Sequence, residues 1–293
     1  MQTVVNLNGK LFDKNEAMIS VFDHGFLYGD SIFETIRTYD GVAFLIHPHL
    51  ERLFKSASLI DIKIPWNKEK IMAEVGRTLA ETDCRNAYIR VIVTRGEGDI
   101  GLDPDLCSEP SIMIIVKKHP DYGEKAYTHG VKIVLVDTRK NLPAALNPAL
   151  KSGNYLNNIL AFSQAKQAGG SEGVMLNAKG FITEATTSNI FLVQEGCIKT
   201  PPKEAGLMPG VTRNLTISLI KENDLPFEES LLNPSDLLES DECFLTSTTR
   251  GIMPVSHCHD QDIGTTCPGK MTLRLMELFS KKIKEIIAGK EEG

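Results

Sequence analysis

Tight-turn dipeptides constrain how the first forty residues of this chain can fold. Asn8-Gly9 follows the short apolar run Val4–Leu7, and Asp40-Gly41 follows the longer run Ile32–Tyr39. Asn-Gly and Asp-Gly readily adopt the positive φ angles of two-residue hairpin turns, and such turns join antiparallel strands. The sequence therefore predicts antiparallel hairpins at the start of the fold.

Helical and strand patterns alternate along the rest of the chain. Apolar residues recur every three or four positions from His47 to Ile60, which predicts a helix with one apolar face. We expect further helices over Lys68–Ala80, Tyr155–Ala168, from Val211 and over Met271–Ile287, and further strands over Ala87–Thr94, Ser111–Lys117, Val131–Asp137, Gly173–Leu176, Phe181–Val193 and Glu242–Ser247. The predicted fold class is α+β, with mainly antiparallel sheets and packed helices.

The length of the chain predicts two domains. Its 293 residues are about twice the roughly 150 residues that one hydrophobic core organises. A polar segment rich in turn-forming residues runs from His119 to Gly130. We therefore expect a smaller N-terminal α/β domain over residues 1–120, a linker over 121–130 and a larger C-terminal domain over 131–293.

Charge and hydropathy exclude several classes of protein. The 32 basic and 38 acidic residues give a net charge of −6, without a basic block, so no nucleic-acid partner is expected. Apolar runs such as Ile112–Val116 fall far short of the ~20 residues that span a bilayer, and no export signal follows Met1. We expect a cytoplasmic protein without a membrane partner, whose six scattered cysteines are free thiols.

Two side chains first indicate chemistry. Lys151 lies between an apolar pair and the small residues Ser152-Gly153, and a desolvated amine there would be a nucleophile toward a carbonyl group. Most lysines, however, are solvated surface charges. Glu184 lies in a predicted strand of apolar and hydroxyl residues. Either the strand reaches the surface there, or the carboxylate is held against a buried cation such as a pyridinium nitrogen.

Two further segments suit an anion. Leu207–Arg213 contains a Pro-Gly turn that opens into a predicted helix, and the backbone N–H groups of a helix start bind phosphate. The run Thr246-Ser247-Thr248-Thr249 offers four adjacent hydroxyl groups, which serve as hydrogen-bond donors. An ordinary turn and an ordinary cap are the alternative interpretations.

Taken together, these segments resemble the class IV aminotransferases, the fold-type IV family of pyridoxal-phosphate enzymes. The family signature starts with an acid, continues through Asn-Ile/Leu-Phe to a Thr, and ends in a small-residue turn and a base. This chain has Glu184–Phe191, then Ile198-Lys199-Thr200, then Met208–Arg213, at permitted spacings. The resemblance extends from Val21–Asp30 and Phe33-Glu34 to Cys267–Thr272, and it implies a two-domain fold-type IV enzyme.

The resemblance implies a site for pyridoxal 5'-phosphate. Lys151 matches the lysine that forms a Schiff base with the cofactor and afterwards moves the substrate proton. Glu184 matches the acid that pairs with the pyridine nitrogen, and Arg52 matches the arginine that binds the phosphate. The other cofactor residues that the resemblance implies are Tyr155 near the phenolic oxygen, Met208 at the ring face, and Val211, Thr212, Ser247 and Thr248 around the phosphate.

The substrate side of the resemblance is divided. Its candidate residues are Tyr28, Phe33, Tyr88, Arg90, Arg95 and Thr249. Tyr28, Phe33 and Tyr88-Ile89-Arg90 look like the branched-chain aminotransferases, in which tyrosines and this arginine seat a carboxylate below an apolar pocket. Ser188 and Ser247–Arg250 look more like D-amino-acid aminotransferases and aminodeoxychorismate lyases. Arg95 lies near the carboxylate-binding arginine of the D-amino-acid enzymes, but position 97 is Glu, where they have histidine.

The resemblance therefore implies transamination of branched-chain L-amino acids with 2-oxoglutarate. The alternatives are pyruvate elimination, as in aminodeoxychorismate lyase, and D-amino-acid transamination. Amino and 2-oxo acids are the expected small-molecule partners, in a homodimer or larger homo-oligomer. His257-Cys258-His259-Asp260, with Cys267, offers zinc-ligand residue types, but adjacent side chains on a strand diverge, so we predict no metal site.

Overall fold

The computed structural model describes residues 3–289, and its contacts divide the chain into two compact units. Among the described residues, the N-terminal unit contains 3–120, 150–154 and 283–289, and the C-terminal unit contains 121–149 and 155–282. The segment that carries Lys151 thus belongs to the N-terminal unit, whereas the sequence placed it in the C-terminal domain. Residues 121–130, predicted as a linker, belong to the C-terminal unit.

The N-terminal unit is built on a six-stranded antiparallel sheet in the order β2-β1-β6-β5-β3-β4. Its elements are β1 (Val4–Leu7), β2 (Lys10–Asp13), α1 (His24–Leu27), β3 (Ser31–Tyr39), β4 (Val42–Ala43), α2 (Ile46–Leu59), α3 (Lys68–Ala80), β5 (Ala87–Thr94), a 3-10 turn at Pro104–Leu106 and β6 (Ser111–Lys118). Asn8-Gly9 and Asp40-Gly41 all have positive φ angles between 50° and 87°, and each dipeptide joins an antiparallel pair. The predicted hairpins are confirmed.

The two faces of this sheet differ in burial. One face carries Ile32, Ile36 and Ile89, which are fully buried, and α2 and α3 pack against the sheet. The alternate residues of β3 and β5 point to the other face, which we call the polar face. It carries the partly buried Thr35, Arg37, Tyr88 and Arg90 together with the buried Phe33.

Residues 151–153 pair with the start of β3. Phe33 N donates to Lys151 O at 2.9 Å, and Gly153 N donates to Ser31 O at 2.7 Å. A side chain at position 153 is excluded, because a Cβ atom there would lie 2.1 Å from Ser31 Oγ. These contacts explain why Lys151 belongs to the N-terminal unit.

The C-terminal unit is built on a nine-stranded sheet in the order β12-β11-β10-β13-β14-β7-β8-β9, with β15 paired to β14. Its elements are α4 (Glu124–Thr128), β7 (Val131–Leu135), α5 (Leu156–Gln167), β8 (Glu172–Leu176), β9 (Ile182–Ala185), β10 (Asn189–Gln194), β11 (Cys197–Thr200), a 3-10 turn at Lys203–Ala205, α6 (Val211–Glu222), β12 (Phe227–Glu229), α7 (Pro234–Leu238), β13 (Glu242–Ser247), β14 (Gly251–Cys258), β15 (Gln261–Asp262) and α8 (Lys270–Ile287), whose last turn belongs to the N-terminal unit. The pairs β11–β12, β7–β14 and β7–β8 are parallel, and the other pairs are antiparallel. The α+β prediction is confirmed.

The predicted strand Phe181–Val193 is instead two strands, β9 and β10, interrupted at residues 186–188. The buried carboxylate of Glu172 causes the interruption, because it accepts hydrogen bonds from the hydroxyl groups of Thr186 and Thr187 and from Thr187 N at 3.0 Å. Arg250 Nη1 also donates to this carboxylate, at 2.5 Å. Among the described residues, no helix is long and apolar enough to cross a membrane.

Candidate active site

The Lys151 amine lies over an aromatic ring of the polar face. Its Nζ is 4.2 Å from the centroid of the Phe33 ring, and the Cζ of Arg90 is 3.9 Å from the same centroid. Arg90 reaches Phe33 because it pairs with Thr35, two residues further along β3 on the same face. The structure thus brings together the predicted catalytic lysine and two predicted substrate residues.

Arg90 has a hydrogen-bond donor that the described residues do not use. Its Nε is buried and has no hydrogen-bond partner among them. A buried donor without a partner costs free energy, so its presence on a face with an amine and an aromatic ring is typical of a ligand-binding surface. Tyr88 lies next to Arg90 on this face, with its hydroxyl group 3.4 Å from Thr35 Oγ1.

Arg52 lies on α2 in a buried ion pair with Glu34. Arg52 Nε donates to Glu34 Oε1 at 2.6 Å, and Nη2 donates to Oε2 at 2.8 Å. His49 Nδ1 donates to Oε2 at 2.8 Å, and Thr35 N donates to Oε2 at 3.3 Å. Glu34 is fully buried, so these contacts hold the guanidinium group of Arg52 in one orientation.

The pKa values of Glu34 and His49 reflect this pairing. Burial alone would raise the pKa of Glu34, but the charge and hydrogen bonds of Arg52, together with those of His49, lower it from 4.5 to about 2. Burial lowers the pKa of His49 from 6.5 and outweighs the opposing contact with Glu34, and the charges of Arg52 and Lys151 lower it further. Glu34 is therefore a fixed anion beside a predominantly neutral His49.

Two other predicted substrate residues make contacts away from Phe33. The guanidinium group of Arg95 donates to both carboxylate oxygens of Asp30 and to the carbonyl oxygens of Ile60 and Asp61. These contacts support a structural role, so we leave Arg95 out of the proposed substrate site. The hydroxyl group of Tyr28 accepts a hydrogen bond from Gly101 N at 3.1 Å.

In the C-terminal unit, Glu184 lies on β9 with its carboxylate held from three sides. Lys140 Nζ lies 2.6 Å from Oε1, while Asn189 Nδ2 and Met208 N each donate to Oε2 at 3.1 Å. Glu184 is 5% exposed. Of the two interpretations of Glu184, the structure therefore supports the buried acid held against a cation, and the chain itself supplies one such cation.

Asn189 connects Glu184 to the start of helix α6. Its amide nitrogen also donates to Met208 O at 2.9 Å. Gly210 approaches the same side chain so closely that a Cβ atom there would lie 2.1 Å from Asn189 Oδ1. Asn189 is also paired with Thr246 across β10 and β13. The acid, the helix start and the end of β13 are therefore neighbours within one unit.

The start of α6 and the end of β13 carry polar groups suited to phosphate. Gly210 provides no side-chain cap for the helix, so the N–H groups of its first turn, which includes Val211 and Thr212, have no intrahelical acceptor. The hydroxyl groups of Thr246 and Ser247 are buried without a hydrogen-bond partner among the described residues. Thr248 and Thr249 follow in the turn before β14.

These groups fit pyridoxal phosphate. An ionised carboxylate accepts about four hydrogen bonds, and Glu184 receives three from the described part of the chain, which leaves one position for a protonated ring nitrogen. The unpartnered hydroxyl groups and the uncapped helix start offer donors to a phosphate group. Tyr155 is the N-cap residue of α5, and the contacts of Met208 with Glu184 and Asn189 are made by its backbone.

Several residues of these clusters were not singled out from the sequence. Lys140 precedes Lys151 by 151 − 140 = 11 residues and lies in a loop, where no periodicity marks it. Asn189 is part of the family signature, but its sequence position does not show its contacts with Glu184 and Met208. Within residues 3–289, no cluster of His, Cys, Asp or Glu side chains is placed to hold a metal ion.

Comparison with known proteins identifies the family. The sequence profile of the class IV amino-transferases matches residues 31–258. A protein of Methanocaldococcus jannaschii named as a putative branched-chain-amino-acid aminotransferase is 44% identical over 276 residues, which cover 94% of each chain. Relatives with other names are a D-alanine aminotransferase of Bacillus licheniformis, 29% identical over 95% of this chain and 96% of its own, and an aminodeoxychorismate lyase of Bacillus subtilis, 30% identical over 97% and 96%.

Solved structures agree with this assignment. The branched-chain amino acid aminotransferase of Escherichia coli superposes with a TM-score of 0.92 at 28% identity, over 96% of this chain and 94% of that one. A second branched-chain amino acid aminotransferase, from T.th. and solved with pyridoxamine 5'-phosphate, gives a TM-score of 0.91 at 26% identity, over 97% and 94%. With the sequence motifs, the profile match and the buried acid all in agreement, the chain belongs to the class IV aminotransferases, a family of enzymes that use pyridoxal 5'-phosphate.

Proposed function

We propose that this enzyme transfers the amino group of branched-chain L-amino acids to 2-oxoglutarate. The observation that carries the proposal is the Phe33 ring, which the Lys151 amine and the Arg90 guanidinium group both contact. An amino acid placed on this surface would have its α-carbon near the amine, its carboxylate near a cation and its side chain against apolar groups. The 44% identical relative carries a branched-chain name, which agrees with this arrangement.

In this proposal, the residues of the two units have separate tasks. Lys151 forms the Schiff base with the cofactor and then moves the α-proton of the substrate. The bound cofactor supplies an electron sink for the negative charge that develops at the α-carbon. Glu184 holds the proton on the ring nitrogen, and Tyr155 and Met208 contact the ring.

The phosphate group and the substrate are held by different residues. We assign the phosphate to Arg52, to the helix start at Val211 and Thr212, and to Ser247 and Thr248. Arg52 suits this task because Glu34 and His49 already fix its orientation.

The substrate site uses the polar face of the N-terminal unit. Arg90 is assigned to a substrate carboxylate because its buried Nε has no partner among the described residues. Phe33 and Tyr88 form the apolar wall that a branched side chain requires, and we also assign Tyr28 and Thr249 to the substrate. An apolar wall selects leucine or isoleucine over smaller or charged side chains through the area that it buries.

We also propose that the enzyme is a homodimer or a larger homo-oligomer. Each unit exposes large apolar side chains, which a second copy would cover. On α5, Leu156 is 62% exposed and Ile159 is 60% exposed, and in the N-terminal unit Phe26 is 66% exposed. Sedimentation or light scattering tests this proposal, and a monomer at micromolar concentration would contradict it. The cytoplasmic location stays a prediction.

A half-reaction screen tests the proposed substrate. The enzyme loaded with pyridoxal phosphate is mixed separately with L-leucine, L-isoleucine, D-alanine and aminodeoxychorismate, and the cofactor absorbance is followed in each mixture. We expect the L-branched-chain amino acids to convert the cofactor to its amine form, and 2-oxoglutarate to restore it. Faster conversion by D-alanine, or release of pyruvate from aminodeoxychorismate, would replace the proposal with the corresponding alternative.

A further inference from the structure

Lys140 forms a buried ion pair with Glu184 to which the proposed reaction gives no task. Its Nζ lies 2.6 Å from Glu184 Oε1, and the side chains of Lys140 and Glu184 are only 8% and 7% exposed. Removing two charges from water is costly, and their mutual attraction does not always recover the whole cost. A buried pair at a cofactor-binding acid is therefore weak evidence for a purely stabilising role.

The geometry at the carboxylate restricts where a ring nitrogen can bind. Oε2 already accepts from Asn189 Nδ2 and Met208 N, whereas Oε1 accepts, among the described residues, from Lys140 alone. Because each carboxylate oxygen accepts about two hydrogen bonds, the remaining position is on Oε1. A ring N–H that binds Glu184 must then share this oxygen with the Lys140 ammonium group.

We propose that Lys140 is a positioning residue that orients Glu184 and limits how strongly it binds the protonated ring nitrogen of the cofactor. The inference rests on the proposed function of Glu184. When the cofactor is present, one carboxylate faces two positive groups, Lys140 and the ring N–H. The two cations repel each other across a poorly solvated site, where charge interactions are stronger than in water.

A purely structural role for Lys140 predicts a different outcome. If Lys140 only stabilised the fold, its removal would destabilise the protein and would leave unchanged, or weaken, its affinity for the cofactor. If Lys140 competes with the ring nitrogen, its removal leaves Glu184 with the ring as its single cationic partner. The affinity for pyridoxal phosphate should then increase, although the cofactor-free protein becomes less stable.

The test compares Lys140→Gln with the matched control Lys140→Arg. Gln keeps an N–H donor for Oε1 but removes the charge, whereas Arg keeps the charge. We expect Lys140→Gln to bind pyridoxal phosphate about tenfold more tightly than the unmodified enzyme, and Lys140→Arg to bind within about twofold of it. Affinity is measured by titration of the cofactor-free protein, and ring-nitrogen protonation by the nitrogen NMR shift of isotope-labelled cofactor. Equal or weaker binding by Lys140→Gln would overturn the proposal.

A second variant keeps the test decisive if the single substitution prevents folding. Lys140→Met combined with Glu184→Gln removes both charges, and a buried pair replaced as a unit is better tolerated than one broken on one side. We expect the melting temperature of this cofactor-free double variant to exceed that of Lys140→Met or, if Lys140→Met does not fold, the double variant itself to fold. A double variant that is less stable than Lys140→Met would contradict the direct pairing.

The cofactor-free measurements separate this inference from the proposed function. If the unmodified enzyme does not bind pyridoxal phosphate, the proposed function and the role of Lys140 are both overturned. If the unmodified enzyme binds the cofactor and Lys140→Gln binds it no more tightly, the role of Lys140 alone is overturned.

Discussion

Two buried glutamates, one in each unit, are held in different ways. Glu34, in the N-terminal unit, accepts two hydrogen bonds from Arg52, one from His49 and one from Thr35 N. Glu184, in the C-terminal unit, receives an ammonium group and two amide N–H donors. The described part of the chain thus fills all of about four acceptor positions on Glu34 but leaves one on Glu184.

This difference separates a structural carboxylate from a ligand-binding one. Glu34 fixes the orientation of another side chain, whereas Glu184 keeps an acceptor for a group that the described residues do not supply. Glu172 resembles Glu34, because hydroxyl groups and Arg250 surround its carboxylate. Burial of an acid is therefore a weaker indication of function than an unfilled acceptor on a buried acid.

The first prediction concerns acid and Glu34. Because the pKa of Glu34 is lowered from 4.5 to about 2 in the folded protein, the folded state binds this proton more weakly than the unfolded chain. The stabilisation is therefore complete above the ordinary pKa and is lost as the pH falls from 4.5 toward 2. We expect a loss of about 3 kcal/mol over this range, measured by urea unfolding as a function of pH.

Glu34→Gln is the control for the acid prediction. The variant cannot titrate at this position, so its stability should be lower at neutral pH and should fall less steeply in acid. Parallel curves for the two proteins would show that Glu34 does not carry the acid sensitivity.

The second prediction concerns Glu184→Gln. The amide keeps the hydrogen-bonding shape but not the negative charge, so the ring nitrogen loses its proton more readily and the negative charge at the α-carbon is less stabilised. We expect the variant to retain pyridoxal phosphate and to convert L-leucine about thirtyfold more slowly. Single-turnover absorbance measures the rate, and an unchanged rate would remove Glu184 from its assigned role.

The smallest expected effect is that of Ser247→Ala. The Ser247 hydroxyl is buried without a partner among the described residues, so its loss should leave the stability of the cofactor-free protein unchanged or slightly raised. If the hydroxyl binds phosphate, the variant should bind pyridoxal phosphate about three- to tenfold more weakly, as the loss of one hydrogen bond implies. Titration of both proteins with the cofactor checks this, and equal affinities would exclude Ser247 from the phosphate site.

Local chemistry made much of the fold predictable. The hairpins at Asn8-Gly9 and Asp40-Gly41 follow from dipeptides that tolerate positive φ angles. The strand Glu242–Ser247 and the final helix, observed at Lys270–Ile287, are marked by their apolar patterns. Glu184 and Lys151 were singled out because their residue types are unusual in their settings and because the family signature surrounds them.

Contacts between distant positions could not be predicted in this way. Lys140 and Glu184 are 184 − 140 = 44 residues apart and form a buried pair, but no pattern in either segment refers to the other. The same is true of residues 151–153, which pair with β3 at a distance of more than a hundred residues. Periodicity reports the face of an element, and these contacts depend on where the whole chain places that element.

The most direct test of the account locates the lysine that binds the cofactor. The enzyme is incubated with pyridoxal phosphate, reduced with borohydride and digested, and the modified peptide is identified by mass spectrometry. We predict a single modified lysine, Lys151, and no stoichiometric labelling in Lys151→Ala. A stoichiometric label on Lys140 or any other lysine, with Lys151 unmodified, would contradict the assignment.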